Sequence, residues 1–210
     1  GFFKASDIEI MQANNFETVV HDEYQLAALE QAKLAGCVKV WLKVDTGMHR
    51  LGIEPQQFEH FYSRLKACDN VCAEVQLMTH FACADDAMNP YNNKQLNTFM
   101  SLVKGKHEAL CLANSAAIIN YPQSHGQWVR PGLMMYGVSP VKGKVSVDLG
   151  LKPVMSLRSE VIAVRHVRQG EPVGYGGNWC AQQDTQLAVI AIGYGDGYPR
   201  HAGNGTPVLI

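Results

Sequence analysis

No run in this sequence reaches the roughly 18 consecutive apolar residues that a membrane-spanning helix needs. No segment is a basic stripe. Eighteen Lys and Arg stand against nineteen Asp and Glu, a formal charge of −1, which argues against nucleic acid and anionic membranes as partners. Cys-x-x-Cys is absent although there are six cysteines, at 37, 68, 72, 83, 111 and 180, so neither a zinc ribbon nor a thioredoxin motif can be read. The histidines have no metal-ligand spacing, and no metal site is expected. The nucleophile elbow Gly-x-Ser-x-Gly is missing too, because Gly137-Val-Ser-Pro-Val141 fails at its last position. There are no internal repeats and no low-complexity stretches.

What is present suits a globular protein. Of 210 residues, 47% are hydrophobic and 18% charged, enough to bury the core of one domain or one and a half. In a chain this long the scattered cysteines read as buried, reduced thiols of a cytoplasmic protein. The sequence begins at Gly1-Phe-Phe without a Met and stops within the apolar run Pro207-Val-Leu-Ile210, so both ends read as cut.

Two patterns alternate through the first two thirds. Short apolar runs read as strands at Thr18–His21, Val38–Asp45, Ala73–Phe81, Ala109–Asn114 and Leu133–Val138. Segments with helical spacing lie at Tyr24–Ala35, Pro55–Ala67 and Asn93–Val103. Strands without apolar–polar alternation, separated by helices, imply a parallel sheet covered on both faces. Beyond Val141–Leu149 helices give way to near-alternation at Val154–Val167, Glu171–Tyr175 and Leu187–Gly193. The expected fold is α/β, a partial (β/α)8 TIM-type barrel of about five of eight strands over residues 1–148. The start of an all-β C-terminal domain follows over 149–210.

Several motifs have ordinary explanations. Asp45-Thr46-Gly47 follows an apolar run, but aspartic-protease chemistry needs two such carboxylates. Gly193-Tyr-Gly-Asp-Gly197 would bind a dinucleotide only by opening a helix, and Tyr198-Pro199 prevents that. Other residues converge. His80, in Met78-Thr-His-Phe81, falls at the C-terminal end of a barrel strand, where such folds do their chemistry. Arg50 and Arg130 lie in strand-proximal loops. Asn114-Ser115 can cap a helix and seat a phosphate, and Gly132 would let a backbone amide approach a second phosphate oxygen. Tyr175 sits between glycines in Gly174-Tyr-Gly-Gly177 as a candidate acid or base.

These segments resemble the alanine racemase family of pyridoxal-phosphate enzymes. The likeness runs through Trp41–Gly52, Met78–Ala82, Ala113–Ala117, Trp128–Pro140, Lys152–Leu157, Gly170–Trp179 and Ile192–His201. It implies interconversion of L- and D-alanine by two-base exchange of the α-proton, supplying D-alanine for peptidoglycan. Pyridoxal 5'-phosphate is the implied cofactor, alanine the substrate and a homodimer the assembly. By the same resemblance Tyr175 is the L-face base, acting in the partner's site. Arg50 holds the substrate carboxylate and Lys43 is the carbamylated lysine that orients it. Arg130 faces the pyridine nitrogen, and His80 links Arg130 to Tyr175. Asn114, Ser115, Gly132 and Leu133 cradle the phosphate, and Tyr194 lines the substrate entrance. No stretch here matches the family's Schiff-base lysine segment, Val-Lys-Ala-Asn-Ala-Tyr-Gly-His-Gly. The 210 residues alone are therefore expected to be inactive. A broad-specificity racemase of the same fold and a non-catalytic pyridoxal-phosphate-binding remnant are the alternatives.

Overall fold

The computed structural model describes residues 1–209, which divide into two compact units, residues 1–154 and 155–209. The first unit alternates helices and strands. In order they are α1 (Asp7–Ala13), β1 (Glu17–Val20), α2 (Glu23–Gln31), β2 (Val38–Lys43), α3 (Phe58–Ala67), β3 (Val71–Met78), α4 (Pro90–Leu102), β4 (Leu110–Asn114), α5 (Ser115–Asn120) and β5 (Trp128–Arg130). All five strands are parallel, in the sheet order β1-β2-β3-β4-β5.

Strand alternation divides the side chains. In β2, Val38, Val40 and Leu42 are buried on the helix side, where they join Phe58, Phe61, Leu65, Leu77, Phe99 and Leu112 in the main core. The opposite, concave side carries a smaller cluster of Trp41, Met78 and Cys111 with Val19 against it. The helices cover the convex side because their apolar residues recur at helical spacing. In α3 the buried positions Phe58, Phe61 and Leu65 form one stripe. Each fully buried Phe contributes about 1.5–3 kcal/mol relative to exposure. Helix starts follow local chemistry. Asp22 accepts from Tyr24 N at 2.8 Å, Asn89 from Tyr91 N at 3.0 Å, and Asn114 from Ala117 N at 3.0 Å.

Two expectations need correction, and one element was not foreseen. Leu133–Val138 is not a strand: β5 ends at Arg130, and Leu133–Tyr136 forms a 3-10 turn. Pro131 supplies no N–H to a ladder, and Gly137 closes the turn in the left-handed region at φ 78°. A side chain at Gly137 would also strike the backbone, since a Cβ there lies 2.0 Å from Lys152 O. The apolar run is Leu-Met-Met-Tyr, and Met135 and Tyr136 are exposed rather than buried in a sheet. The cysteines are not all reduced or buried: Cys37 and Cys72 form a disulfide, and Cys37 and Cys180 are exposed. Cys37 immediately precedes β2 and Cys72 is the second residue of β3, so sheet pairing brings their Cα atoms to 5.0 Å across 35 residues. Finally, α1 gives too short a periodic run to read from sequence.

The second unit is all β. Strand β6 (Val161–Val167) pairs antiparallel with β9 (Thr185–Ile190), and β7 (Pro172–Val173) pairs with β8 (Trp179–Cys180). The turn into β7 closes through Gly170 N on Ala181 O at 2.8 Å and Ala181 N on Glu171 O at 3.0 Å. Among the described residues no helix is long and apolar enough to cross a membrane.

Candidate active site

Because the five strands are parallel, their C-terminal ends share one rim. Lys43 ends β2, and Met78, its partner in register, ends β3 just before Thr79 and His80. Asn114 ends β4 opposite Arg130, the last residue of β5. Ser115 opens α5, and Gly132 and Leu133 follow β5.

Arg130 is the most connected side chain on this rim. One terminal nitrogen donates to Cys111 O at 2.9 Å and Cys111 Sγ at 2.8 Å. The other donates to Thr79 O at 2.7 Å and Leu112 O at 3.3 Å, and lies 3.1 Å from His80 Nδ1. A guanidinium only donates, so Nδ1 accepts and the neutral His80 carries its proton on Nε2. His80 stays neutral because its pKa is pushed down to about 4, first by burial and then by the charges of Arg130, Lys43 and Arg50. Among the described residues the Nε–H of Arg130 has no partner, which leaves one donor free.

Lys43 is half-buried, and its side chain makes no hydrogen bond among the described residues. Burial, then Arg50, then Arg130 lower its pKa from the ordinary lysine value, against an opposing pull from Asp45. Arg50 stands in the bend that follows β2, exposed and without an ion pair among the described residues. The bend is held by Asp45, whose Oδ1 accepts from the N–H of Gly47 at 2.9 Å, Met48 at 2.9 Å and His49 at 3.1 Å. Burial alone would raise the Asp45 pKa, but these three donors outweigh it and keep the carboxyl below its usual value. The Asp-Thr-Gly triplet is thus a loop clamp. Gly47 is required within it: φ is 138°, and a Cβ would lie 2.4 Å from the hydroxyl that Tyr91 donates to Gly47 O at 3.0 Å.

On the other side of the rim, Ser115 Oγ accepts from Met134 N at 3.3 Å, tying the start of α5 to the turn after β5. That contact brings Ser115, Gly132 and Leu133 to one place, and the space over Gly132 is open. The Asn114 side chain is committed to structure: Oδ1 caps α5, and Nδ2 donates to Phe81 O at 3.4 Å. Tyr175 and Tyr194 lie in the second unit. Tyr175 opens a glycine turn and is 97% exposed, leaving its hydroxyl available. Tyr194 is 69% exposed, with the Arg200 guanidinium 5.7 Å from its ring centre. The rim also contains groups that sequence reasoning did not single out: the Cys111 thiol on Arg130, and Thr46, Thr79 and Gln95 behind the loops. A polar Gln95 at a helix position beside Leu96 and Phe99 was the available signal.

A curled parallel α/β sheet with a cationic C-terminal rim, followed by a separate β unit, defines a class of barrel enzymes with an appended β domain. Residues 1–140 match the family model "Alanine racemase, N-terminal domain" and residues 154–210 match "Alanine racemase, C-terminal domain". The chain belongs to the alanine racemase family. It is 53% identical over all 210 residues to an alanine racemase of Vibrio parahaemolyticus, covering 59% of that protein. It superposes on the biosynthetic alanine racemase of Pseudomonas aeruginosa with a TM-score of 0.92 at 40% identity, over 99% of this chain and 57% of that one. A Bartonella henselae alanine racemase with covalently bound pyridoxal phosphate gives 0.75 at 26% identity, over 94% of this chain and 55% of that one. The chain thus spans about three fifths of the length of the curated relatives it matches.

Proposed function

We propose that these residues form the phosphate-, ring- and carboxylate-binding rim of an alanine racemase. It interconverts L- and D-alanine with pyridoxal 5'-phosphate, as a cytoplasmic homodimer supplying D-alanine for peptidoglycan. The observation that carries this reading is Arg130, whose four backbone and thiol contacts and link to neutral His80 leave only its Nε–H unspent. A fixed donor that cannot give up its proton suits a heterocycle nitrogen kept neutral. Nearby, Ser115, Gly132 and Leu133 offer a hydroxyl and open backbone to a phosphate.

Pyridoxal phosphate, when bound, acidifies the amino acid's α-carbon by withdrawing electrons. The chain supplies the rest. Arg130 limits that withdrawal by leaving the ring nitrogen unprotonated, which favours return of the proton to carbon. His80 holds the Arg130 guanidinium through Nδ1 and keeps its proton on Nε2. Arg50, unpaired and on a clamped loop, receives the substrate carboxylate. Lys43 orients Arg50: its lowered pKa leaves more neutral amine to react with carbon dioxide, and the resulting carbamate pairs with a guanidinium. The Tyr175 hydroxyl moves the proton on the L face in the partner's site, and Tyr194 lines the way in. The base for the other face has no counterpart among these residues.

The test is the whole gene product, loaded with pyridoxal 5'-phosphate and given each alanine enantiomer, with optical rotation followed to equilibrium. Equal final mixtures from both sides support the reading. Comparable turnover of serine and larger amino acids would replace it with a broad-specificity racemase. Tight cofactor binding without turnover would make the protein a binding remnant.

A further inference from the structure

Gln95 is a fully buried polar side chain on α4, 0% exposed, among apolar neighbours. Its carbonyl accepts from Ala82 N at 2.9 Å. Its amide nitrogen donates to His80 O at 3.1 Å and, more distantly, to Thr46 Oγ1 at 3.5 Å. Thr46 Oγ1 lies 2.8 Å from Thr79 Oγ1, and Thr79 Oγ1 donates to Val44 O at 2.9 Å. A hydroxyl has one proton. Thr79 spends its own on Val44 O, so Thr46 must donate to Thr79 and accept from Gln95. The chain of bonds therefore runs in one direction, from Gln95 through both threonines to the end of β2. All members are buried, Thr46 to 7%, Thr79 to 1% and Gln95 to 0%. Nor can the amide flip, since its oxygen would then face the carbonyl of His80.

This network reaches the rim from behind. Thr79 O and His80 Nδ1 accept from Arg130 in front, while His80 O is held from α4 and Thr79 Oγ1 from Val44, just after β2. The same bonds reach Thr46, at the root of the loop that carries Arg50. We propose that Gln95 is a positioning residue, whose amide sets the loops after β2 and β3 and thereby the register of His80 and Arg50 against Arg130. The proposal rests on the function given above. Its chemistry fits a buried amide: Gln offers donor and acceptor together with no charge to desolvate, so it can stitch two loops at once. An apolar side chain there would leave His80 O and Ala82 N without those partners.

The experiment compares Gln95→Met, close in size and without these bonds, with Phe99→Leu, which loosens the same helix without touching either loop. Both are made in the whole gene product, with and without pyridoxal 5'-phosphate. The readouts are the His80 ring nitrogen resonances and their titration, the cofactor's absorbance spectrum and affinity, and kcat separately from KM. The groups facing His80 are Arg130, Lys43 and Arg50. Positioning predicts that Gln95→Met raises the His80 pKa by a unit or more and lowers kcat about tenfold to a hundredfold, the scale of a small misplacement. Phe99→Leu should lower Tm comparably and leave the His80 titration in place. If Gln95→Met fails to fold, Gln95→Asn, which keeps an uncharged amide on a shorter side chain, is read in the same way. Identical behaviour of the Gln95 and Phe99 variants, or an unmoved His80, overturns the proposal. Because the His80 readout needs no cofactor, failure of cofactor binding would sink the functional reading while leaving this one tested.

Discussion

Replacing Arg130 with Met separates two things this residue does. The structural loss comes first. Cys111 O keeps a second donor, Thr79 N at 3.3 Å, but Thr79 O has no other donor among the described residues. A hydrogen bond from a charged group is worth about 1.5–3 kcal/mol net, and an orphaned buried carbonyl costs a similar amount. Removing a cation that repels Lys43 offsets part of this. The expected loss is about 2 kcal/mol at pH 7, or roughly 4–8 °C in Tm for a chain of this size. The second effect runs through His80. Its folded pKa, about 4, lies below the unfolded value of about 6.5, so the unfolded chain binds more protons between those limits. Stability from this group is present above pH 6.5 and lost as pH falls toward 4. Without Arg130 the His80 pKa rises but stays below 6.5, because burial, the largest cause, persists. Native protein therefore loses more on acidification than the variant, and the stability gap between them narrows from pH 7 to pH 4.5. Denaturant titrations across that range, with nitrogen resonances of His80, measure both quantities. A gap that is constant or widens, or a His80 pKa that does not move, would refute the electrostatic account.

Other outcomes follow from the same geometry. Tyr175→Phe in the whole gene product should cut solvent-deuterium incorporation from L-alanine by about 10²–10⁴-fold and from D-alanine far less; equal losses remove Tyr175 from the role. Lys43→Ala should weaken activity and abolish any response to bicarbonate, with partial rescue by small carboxylates, whereas full activity would end the carbamate reading. Gly137→Ala meets Lys152 O at 2.0 Å in a left-handed conformation, and should cost about 1–3 kcal/mol in thermal unfolding; an unchanged Tm means the segments can part freely. The 210 residues alone, mixed with pyridoxal 5'-phosphate and reduced with borohydride, should yield neither a stoichiometric adduct on one lysine nor racemisation.

Strand and helix alternation was legible because burial writes it directly into the sequence. Strands β1 to β4 fall where continuous apolar runs end in polar residues, and α3 and α4 follow their apolar stripes. The misreading of Leu133–Val138 shows the limit of that signal. An apolar run states that side chains avoid water somewhere, and does not state that backbone hydrogen bonds are made within a sheet. The decisive information was in Pro131, Gly132 and Gly137, which break the ladder. The disulfide was illegible for a different reason. Residues 35 apart meet because β2 and β3 are neighbours in register, and spacing rules describe only ligands close in sequence.

The site divides along the same line. His80 stood out because it ends an expected strand, and strand ends share a rim in any parallel barrel. Arg130 was legible only as a residue of a strand-proximal loop, and Lys43 only through the family resemblance. Their resemblance to a family gave them roles. Neither route could find Gln95, because its importance lies in what it touches rather than in what it is. A glutamine on a helix usually faces solvent. This one is buried at 0% exposure, and two loops depend on its amide. Among the described residues the side chains of Arg50 and Lys43 and the Nε–H of Arg130 have no protein partner, which is what the proposed ligand-binding roles require. Asp45 spends its carboxylate on three backbone N–H groups so that Arg50 need not be tied down by an ion pair. Cys111, Thr79 and Leu112 occupy the terminal nitrogens of Arg130, so that only one direction remains for binding. Arg130 is thus fixed by acceptors that carry no net charge, so its positive charge stays uncompensated, as the proposed anionic ligand would require.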